Sequence, residues 1–113
     1  MPYDETLAEA MRADLVGHAG ISEKKMFGGL CFLLNGHMVC GVHKGGGMYR
    51  VGKANEAAAR AIPGARPLGF TGRPMGGMIE VDEAGLQDGA YRRQWLGMAL
   101  SHAASLPPKT PKP

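Results

Sequence analysis

The feature that most constrains the fold of this chain is the dipeptide Asn35-Gly36, which separates two apolar runs over residues 30–34 and 38–42. An Asn-Gly pair between apolar runs favours a two-residue type I′ turn, because both central residues of that turn need positive φ. The pattern therefore predicts a β-hairpin, and a β-sheet becomes one layer of the fold.

The rest of the chain predicts helices around this hairpin. Three segments have the residue pattern of helices, namely 4–18, 53–62 and 89–105. Two further strands are predicted over residues 48–51 and 77–81, with a loop over residues 65–74 before the second of them. The expected fold class is α+β: an antiparallel sheet with a three-strand meander plus a later strand, covered by an N-terminal helix, a short middle helix and a long C-terminal helix.

The length of 113 residues predicts one domain, which we place at residues 1–106. Residues 107–113 are rich in proline and lysine and are predicted to form a disordered tail. The sequence has no run of about 18 apolar residues, so no membrane span is expected. The first residues are acidic where a signal peptide is basic, which predicts a cytoplasmic protein with reduced thiols at Cys31 and Cys40.

The net charge of +3 is unevenly distributed. Residues 1–23 contain five acids and one base, which gives −4, whereas residues 24–73 contain eight bases and one acid, which gives +7. A basic face for a nucleic acid or an acidic protein is one interpretation of the middle segment. Compensation by the acidic first helix is the other. The candidate partner-binding residues are Lys24, Lys25, Lys44, Arg50, Arg66 and Arg73.

The two cysteines are the residues that carry the most distinctive side-chain chemistry. A two-residue turn at Asn35-Gly36 pairs residues whose numbers sum to 71, which predicts that Cys31 lies opposite Cys40. Such a pair could form a redox-sensitive disulfide, or it could be two buried apolar thiols. Strand parity then places His37 and His43 on the other face, so no metal site is predicted.

No catalytic pattern stands out in the sequence. The glycine runs at 45–47 and 76–77 lead into strands rather than helices, and are interpreted as turns instead of phosphate-binding loops. The acids and serines have no arrangement typical of general acid–base or nucleophilic catalysis. We therefore expect a protein that is not an enzyme and that needs no cofactor.

Several motifs together resemble a known family. These are Met26-Phe27-Gly28-Gly29, the strand–Asn-Gly–strand unit, Met48-Tyr49-Arg50-Val51-Gly52, the segment 72–81 and Trp95 in the last helix. Over about residues 3–104 they resemble the N-terminal domain of the TfoX/Sxy family, which is named after bacterial regulators of natural competence. The resemblance implies a small α+β domain with no catalytic residues. With 113 residues, the chain is expected to be a single-domain member that lacks the C-terminal domain of the longer regulators.

The sequence as a whole predicts a cytoplasmic domain that acts by binding, with a protein partner or self-association as the first expectation. Docking would use a sheet edge or a helix face. A nucleic-acid-associated regulator that uses the basic segment 24–73 is the alternative. A thiol redox switch through Cys31 and Cys40 is the third possibility.

Overall fold

The computed structural model describes residues 4–26, 29–67 and 77–106. Within these residues the helices are α1 (Glu5–Asp14), α2 (Glu56–Arg60), α3 (Glu83–Leu86) and α4 (Gly89–Ala104), and a 3₁₀ turn (Lys53–Asn55) precedes α2. The strands are β1 (Ile21–Met26), β2 (Gly29–Leu34), β3 (His37–His43), β4 (Gly46–Arg50), β5 (Ala65–Pro67) and β6 (Met78–Asp82).

The predicted hairpin is confirmed. β2 and β3 are joined by Asn35 and Gly36, which have φ angles of 52° and 87°. Both residues therefore occupy the left-handed region that a type I′ turn requires, and asparagine and glycine are the residues that tolerate it best.

The predicted α+β class with an antiparallel sheet is also confirmed, although the sheet has two more strands than expected. The strand order is β1-β2-β3-β4-β6-β5, and every neighbouring pair is antiparallel. β1 precedes the hairpin, and β5 pairs with β6 where a loop was predicted. The loop prediction was therefore wrong for residues 65–67, while residues 68–74 lie outside the described part of the chain.

The helices begin where polar side chains can cap them. The Asp4 carboxylate accepts a hydrogen bond from Thr6 N at 2.8 Å, so Asp4 is the cap of α1. Asp88 caps α4 in the same way, with bonds from Ala90 N and Tyr91 N. α4 matches its predicted range within one residue, whereas α1 ends at Asp14, earlier than the predicted His18.

The main hydrophobic core lies between the helices and one side of the sheet, which we call the helix face. Trp95 of α4 is fully buried there, and its ring centroid lies 5.7 Å from that of Tyr49 on β4. The indole N–H donates to Ala59 O at 3.0 Å, which ties α4 to α2. The predicted core role of Trp95 is confirmed, and this one side chain links two helices to the sheet.

The opposite side of the sheet, which we call the second face, carries a smaller cluster. Cys31, Met48 and Met78 are buried there, with Met38 partly buried beside them. All four residues belong to strands, so among the described residues this cluster contains no helix side chain.

A β-bulge in β3 sets the relation between the two faces. Leu33 pairs with Met38, but the next residue, Phe32, pairs with Cys40, so Val39 is an extra residue in β3. A single extra residue reverses the alternation of side chains beyond it, because the side-chain period of a strand is two. Val39 and Cys40 accordingly both belong to the main core.

Among the described residues, no helix has the length and apolar character that crossing a membrane requires. The predicted tail over residues 107–113 lies outside the described residues.

Candidate functional site

The sheet ends at β1, which pairs with β2 on one side and with no other described strand on its outer side. Ser22, Glu23, Lys24 and Lys25 are all exposed along this strand. A six-residue strand whose outer edge pairs with no strand of the described residues presents a row of backbone donors and acceptors to any chain that can lie beside it.

The hydrogen-bond pattern shows which backbone groups are available at this edge. Asn35 N donates to Gly20 O at 3.0 Å, which makes residues 20 and 35 a hydrogen-bonded pair of the antiparallel register. Because such pairs alternate along the strands, the N–H and C=O groups of Ile21, Glu23 and Lys25 point away from β2. The outer edge of β1 therefore offers three residues for strand pairing. We call these three residues and Lys24 the β1 edge.

An ion pair fixes α1 beside this edge. The Arg12 guanidinium donates to both oxygens of Glu23, from Nε at 2.7 Å and from Nη2 at 2.9 Å, and it also contacts Glu9 at 2.6 Å. The hydrogen bond from Arg12 lowers the pKa of Glu23, while partial burial acts in the opposite direction. The lowered pKa stabilises the fold at neutral pH, and that contribution is lost as the pH falls through the folded-state value.

The ion pair also determines the charge of the β1 edge. Since Arg12 neutralises the carboxylate of Glu23, the charges left are those of Lys24 and Lys25. Neither lysine forms an ion pair with a carboxylate of the described residues. The edge is consequently positive, and its backbone groups and its charge favour the same kind of partner, an extended acidic chain.

The six predicted partner-binding residues do not gather on one surface. Lys24 and Arg66 mark the two ends of a row that crosses the sheet through Cys31, Gly41, Met48 and Glu80. Six strands at about 4.8 Å spacing separate these two residues by about 24 Å. Lys24 and Lys25 are neighbours on β1 but belong to opposite faces of the sheet, since their partners are Cys31 and Leu30, while Lys44 lies in the turn between β3 and β4.

Two of the remaining basic residues have separate environments. Arg66 is paired with Glu80 at 3.3 Å, so its charge is compensated. Arg50 is the last residue of β4 and lines a cavity at that end of the strand. Arg73 lies outside the described residues. The acids of α1 do not neutralise these bases, since Asp14 pairs with Arg92 of α4 and Glu9 pairs with Arg12 of its own helix.

The predicted pairing of Cys31 with Cys40 was wrong. The bulge at Val39 pairs Cys31 with Gly41 and Cys40 with Phe32, which places the two thiols on opposite faces of the sheet. Both cysteines are free and buried, and burial raises the pKa of each thiol above its ordinary value. The geometry that suggested a redox-sensitive bridge is therefore absent from this pair.

The histidines also differ from the predicted arrangement, for the same reason. His43 lies on the second face with Cys31, whereas His37 pairs with Leu34 on the helix face, where Cys40 also lies. His43 Nδ1 lies 2.9 Å from Lys44 O, and its Nε2 lies 3.9 Å from Glu80. Within the described residues, no three His, Cys, Asp or Glu side chains form a group that could hold a metal ion.

A polar group is enclosed in the core below α1 and α4. The hydroxyl of Tyr49 is buried and has no hydrogen-bond partner among the described residues, and burial raises the pKa of this phenol well above its ordinary value. Asp14 and Arg92 form a mostly buried ion pair at 2.8 Å, and Arg92 also donates to Leu86 O at 2.8 Å. This pair connects α1 with α3 and α4, so we assign it a structural role.

Sequence reasoning had identified the two lysines but had missed the strand that carries them. The segment Ile21–Met26 has only two apolar residues, at its ends, and its alternation is too weak to predict a strand. The signal that could have found it is the hairpin itself. A lone two-stranded hairpin is marginally stable, and a third strand beside β2 satisfies the other edge of β2.

Fold and site together define a small α+β domain with a positively charged sheet edge, uncovered by any described strand, and a hydrophobic core between the sheet and the helices. The family model described as the TfoX N-terminal domain matches residues 14–103, and the chain belongs to this family. Comparison with curated proteins found no match, and comparison with solved structures found none either.

Proposed function

We propose that this domain is a cytoplasmic, non-catalytic regulatory module that binds an extended, acidic segment of a partner protein along the β1 edge. The observation that carries the proposal is the outer edge of β1, which no described strand covers and which has outward backbone groups at Ile21, Glu23 and Lys25. In β-strand addition the main-chain bonds supply affinity and the side chains supply selectivity.

Charge favours a different protein over a second copy of this chain at the edge. Two β1 strands that paired antiparallel in a register centred on Lys24 or Lys25 would place that lysine opposite its copy, and facing like charges destabilise a strand pair. Acidic residues in a partner segment would instead lie beside the lysines. Family membership supports a regulatory role, and two free buried cysteines are typical of a protein in a reducing compartment.

The test uses proline at a backbone position that faces outward. Lys25→Pro removes an N–H that makes no bond to β2, so the sheet is retained, whereas an added strand loses one bond and meets the proline ring. Lys25→Ala is the matched control, since it removes the same charge but keeps the N–H. Both variants and the natural protein serve as bait in lysate of the source bacterium, with and without nuclease, after circular dichroism has shown that each is folded.

We expect a nuclease-resistant partner that is retained by Lys25→Ala, more weakly than by the natural protein, and lost by Lys25→Pro. Retention of the same partner by a folded Lys25→Pro variant would show that the edge is not used. Partners that disappear with nuclease, or with a steep dependence on salt, would favour nucleic-acid binding instead.

A further inference from the structure

A second concave site lies where the end of β4, the turn before β6 and the last turn of α4 meet. Its cavity has a volume of about 320 Å³ and is lined by Arg50, Gly52, Lys53, Gly77 and His102. Three of these five residues have side chains that can carry a positive charge. They come from separate parts of the chain, so the fold itself brings them together.

Two glycines form the backbone wall of this cavity. Gly52 has a φ of 87°, and a Cβ atom at this position would lie 2.6 Å from Nδ1 of His102, so the imidazole lies directly against the backbone. Gly77 has a φ of 82°, and a Cβ atom there would lie 3.2 Å from Lys53 N. A side chain at position 52 would therefore displace the imidazole, and one at position 77 would crowd the backbone of Gly52 and Lys53.

Hydrogen bonds hold this wall in place. Gly52 N donates to Gly77 O at 2.9 Å, and Gly77 N donates to Oε1 of Glu56 at 2.8 Å. The other oxygen of Glu56 lies 3.6 Å from Arg60. The two oxygens of Glu56 thus bind Gly77 N and Arg60, rather than Arg50.

The charge of the cavity is uncompensated by the described residues. Arg12, Arg60, Arg66 and Arg92 each pair with a carboxylate at 3.6 Å or less. By contrast, no carboxylate in the described part of the chain forms an ion pair with Arg50, Lys53 or His102. Arg50 and Lys53, which are both cationic at neutral pH, line the cavity, and His102 is the third basic residue of its lining.

We propose that this cavity binds the phosphate group of a small phosphate monoester. Arginine presents a planar fork of donors that matches two phosphate oxygens, and lysine adds a compact charge beside it. A volume of about 320 Å³ is at the lower end of the range of about 300–1,000 Å³ for small-molecule pockets. The space admits a phosphate together with a short organic group. This site is separate from the β1 edge and does not rest on the function proposed for it.

The experiment titrates the full chain with glycerol 3-phosphate and with inorganic phosphate at constant ionic strength, with chloride as the reference anion. Backbone amide chemical shifts in NMR spectra report binding. We expect saturable shifts at Gly52, Lys53 and Gly77, and tighter binding of the ester than of inorganic phosphate.

Arg50→Gln is expected to weaken binding of glycerol 3-phosphate at least about tenfold, because the bidentate contact is lost. Arg93→Gln is the matched control. Arg93 is also without an ion pair to a described carboxylate, but it lies nine residues before His102 on α4, about 13 Å along the helix axis. This variant should bind like the natural protein.

Lys53→Gln provides a second variant at an exposed position, in case Arg50→Gln does not fold. Weaker binding by Lys53→Gln with unchanged binding by Arg93→Gln would support the site. Shifts that do not saturate, or equal losses in Arg93→Gln and Lys53→Gln, would overturn it. Tighter binding of inorganic phosphate than of the ester would also contradict the proposed ligand class.

Discussion

The two faces of the sheet are formed by alternate residues of the same strands, yet they bury different kinds of side chain. The helix face buries aromatic and aliphatic side chains such as Tyr49 and Trp95 against several helices. The second face buries a small cluster around Cys31 and Met48, beside charged residues such as Glu80. The difference indicates that the helix face supplies most of the packing energy, whereas the second face depends on close approach between strands.

The largest effect is expected from truncation on the helix face. Trp95→Ala should lower the free energy of unfolding by about 3–5 kcal/mol, because a fully buried indole and its bond to Ala59 O are both lost. Met48→Ala on the second face is the matched change, with an expected loss of about 2–3 kcal/mol. Urea denaturation of both variants measures the difference. An equal or larger loss for Met48→Ala would contradict the ranking of the two faces.

A smaller loss of stability is expected from adding a side chain to the second face at Gly41. Gly41 lies between Cys31 and Met48, and an added Cβ atom would lie 2.9 Å from Leu30 O and 3.1 Å from Cys31 Sγ. Gly41→Ala should therefore lower the free energy of unfolding by about 1–3 kcal/mol. The control is Gly97→Ala on α4, where the Cβ atom would meet no atom of the described residues within 4 Å.

Gly97→Ala should raise stability by about 1 kcal/mol, because alanine is the better helix former. Thermal unfolding of the two variants under the same conditions makes the comparison. If Gly41→Ala lowered stability no more than Gly97→Ala does, the result would contradict close packing between the strands on the second face.

The smallest effect is expected from oxidation. Burial raises the pKa of both thiols, so little reactive thiolate forms at neutral pH, and the two sulfur atoms lie on opposite faces. Native protein should react slowly with a thiol reagent, should show no change in gel mobility after mild oxidation, and should expose two thiols on unfolding. A fast mobility change that is lost in Cys31→Ala would restore the redox hypothesis and place the two thiols on one face.

The elements that sequence reasoning predicted well are those with strong local signals. The Asn35-Gly36 turn needs positive φ, and the long C-terminal helix has both a capping residue at Asp88 and an apolar stripe, so each can be identified locally. β1 and β5 could not be found in this way. β1 is polar, β5 has three residues, and both are strands because a neighbouring strand supplies their hydrogen bonds.

For the candidate sites, too, the sequence predicts only what is local along the chain. Lys24 and Lys25 are adjacent in sequence, and their common location could be predicted. Arg50, Lys53 and His102 meet only in the folded chain, and the sequence offered no signal for the last of them. Pairing of the cysteines failed because a count of residues assumes an unbroken register, and Val39 adds one residue to a single strand.

The bulge at Val39 has a consequence for comparing members of this family. The residues of β3 before and after Val39 follow opposite parity rules in their numbering, but the bulge absorbs the extra residue, so a chain without it would keep Met38 opposite Leu33 and Cys40 opposite Phe32. An alignment gap of one position at Val39 would thus leave the other side chains of β3 on the faces that they occupy here. Counting alternate residues along β3 of a relative therefore assigns the two faces correctly only once the presence or absence of this residue is known.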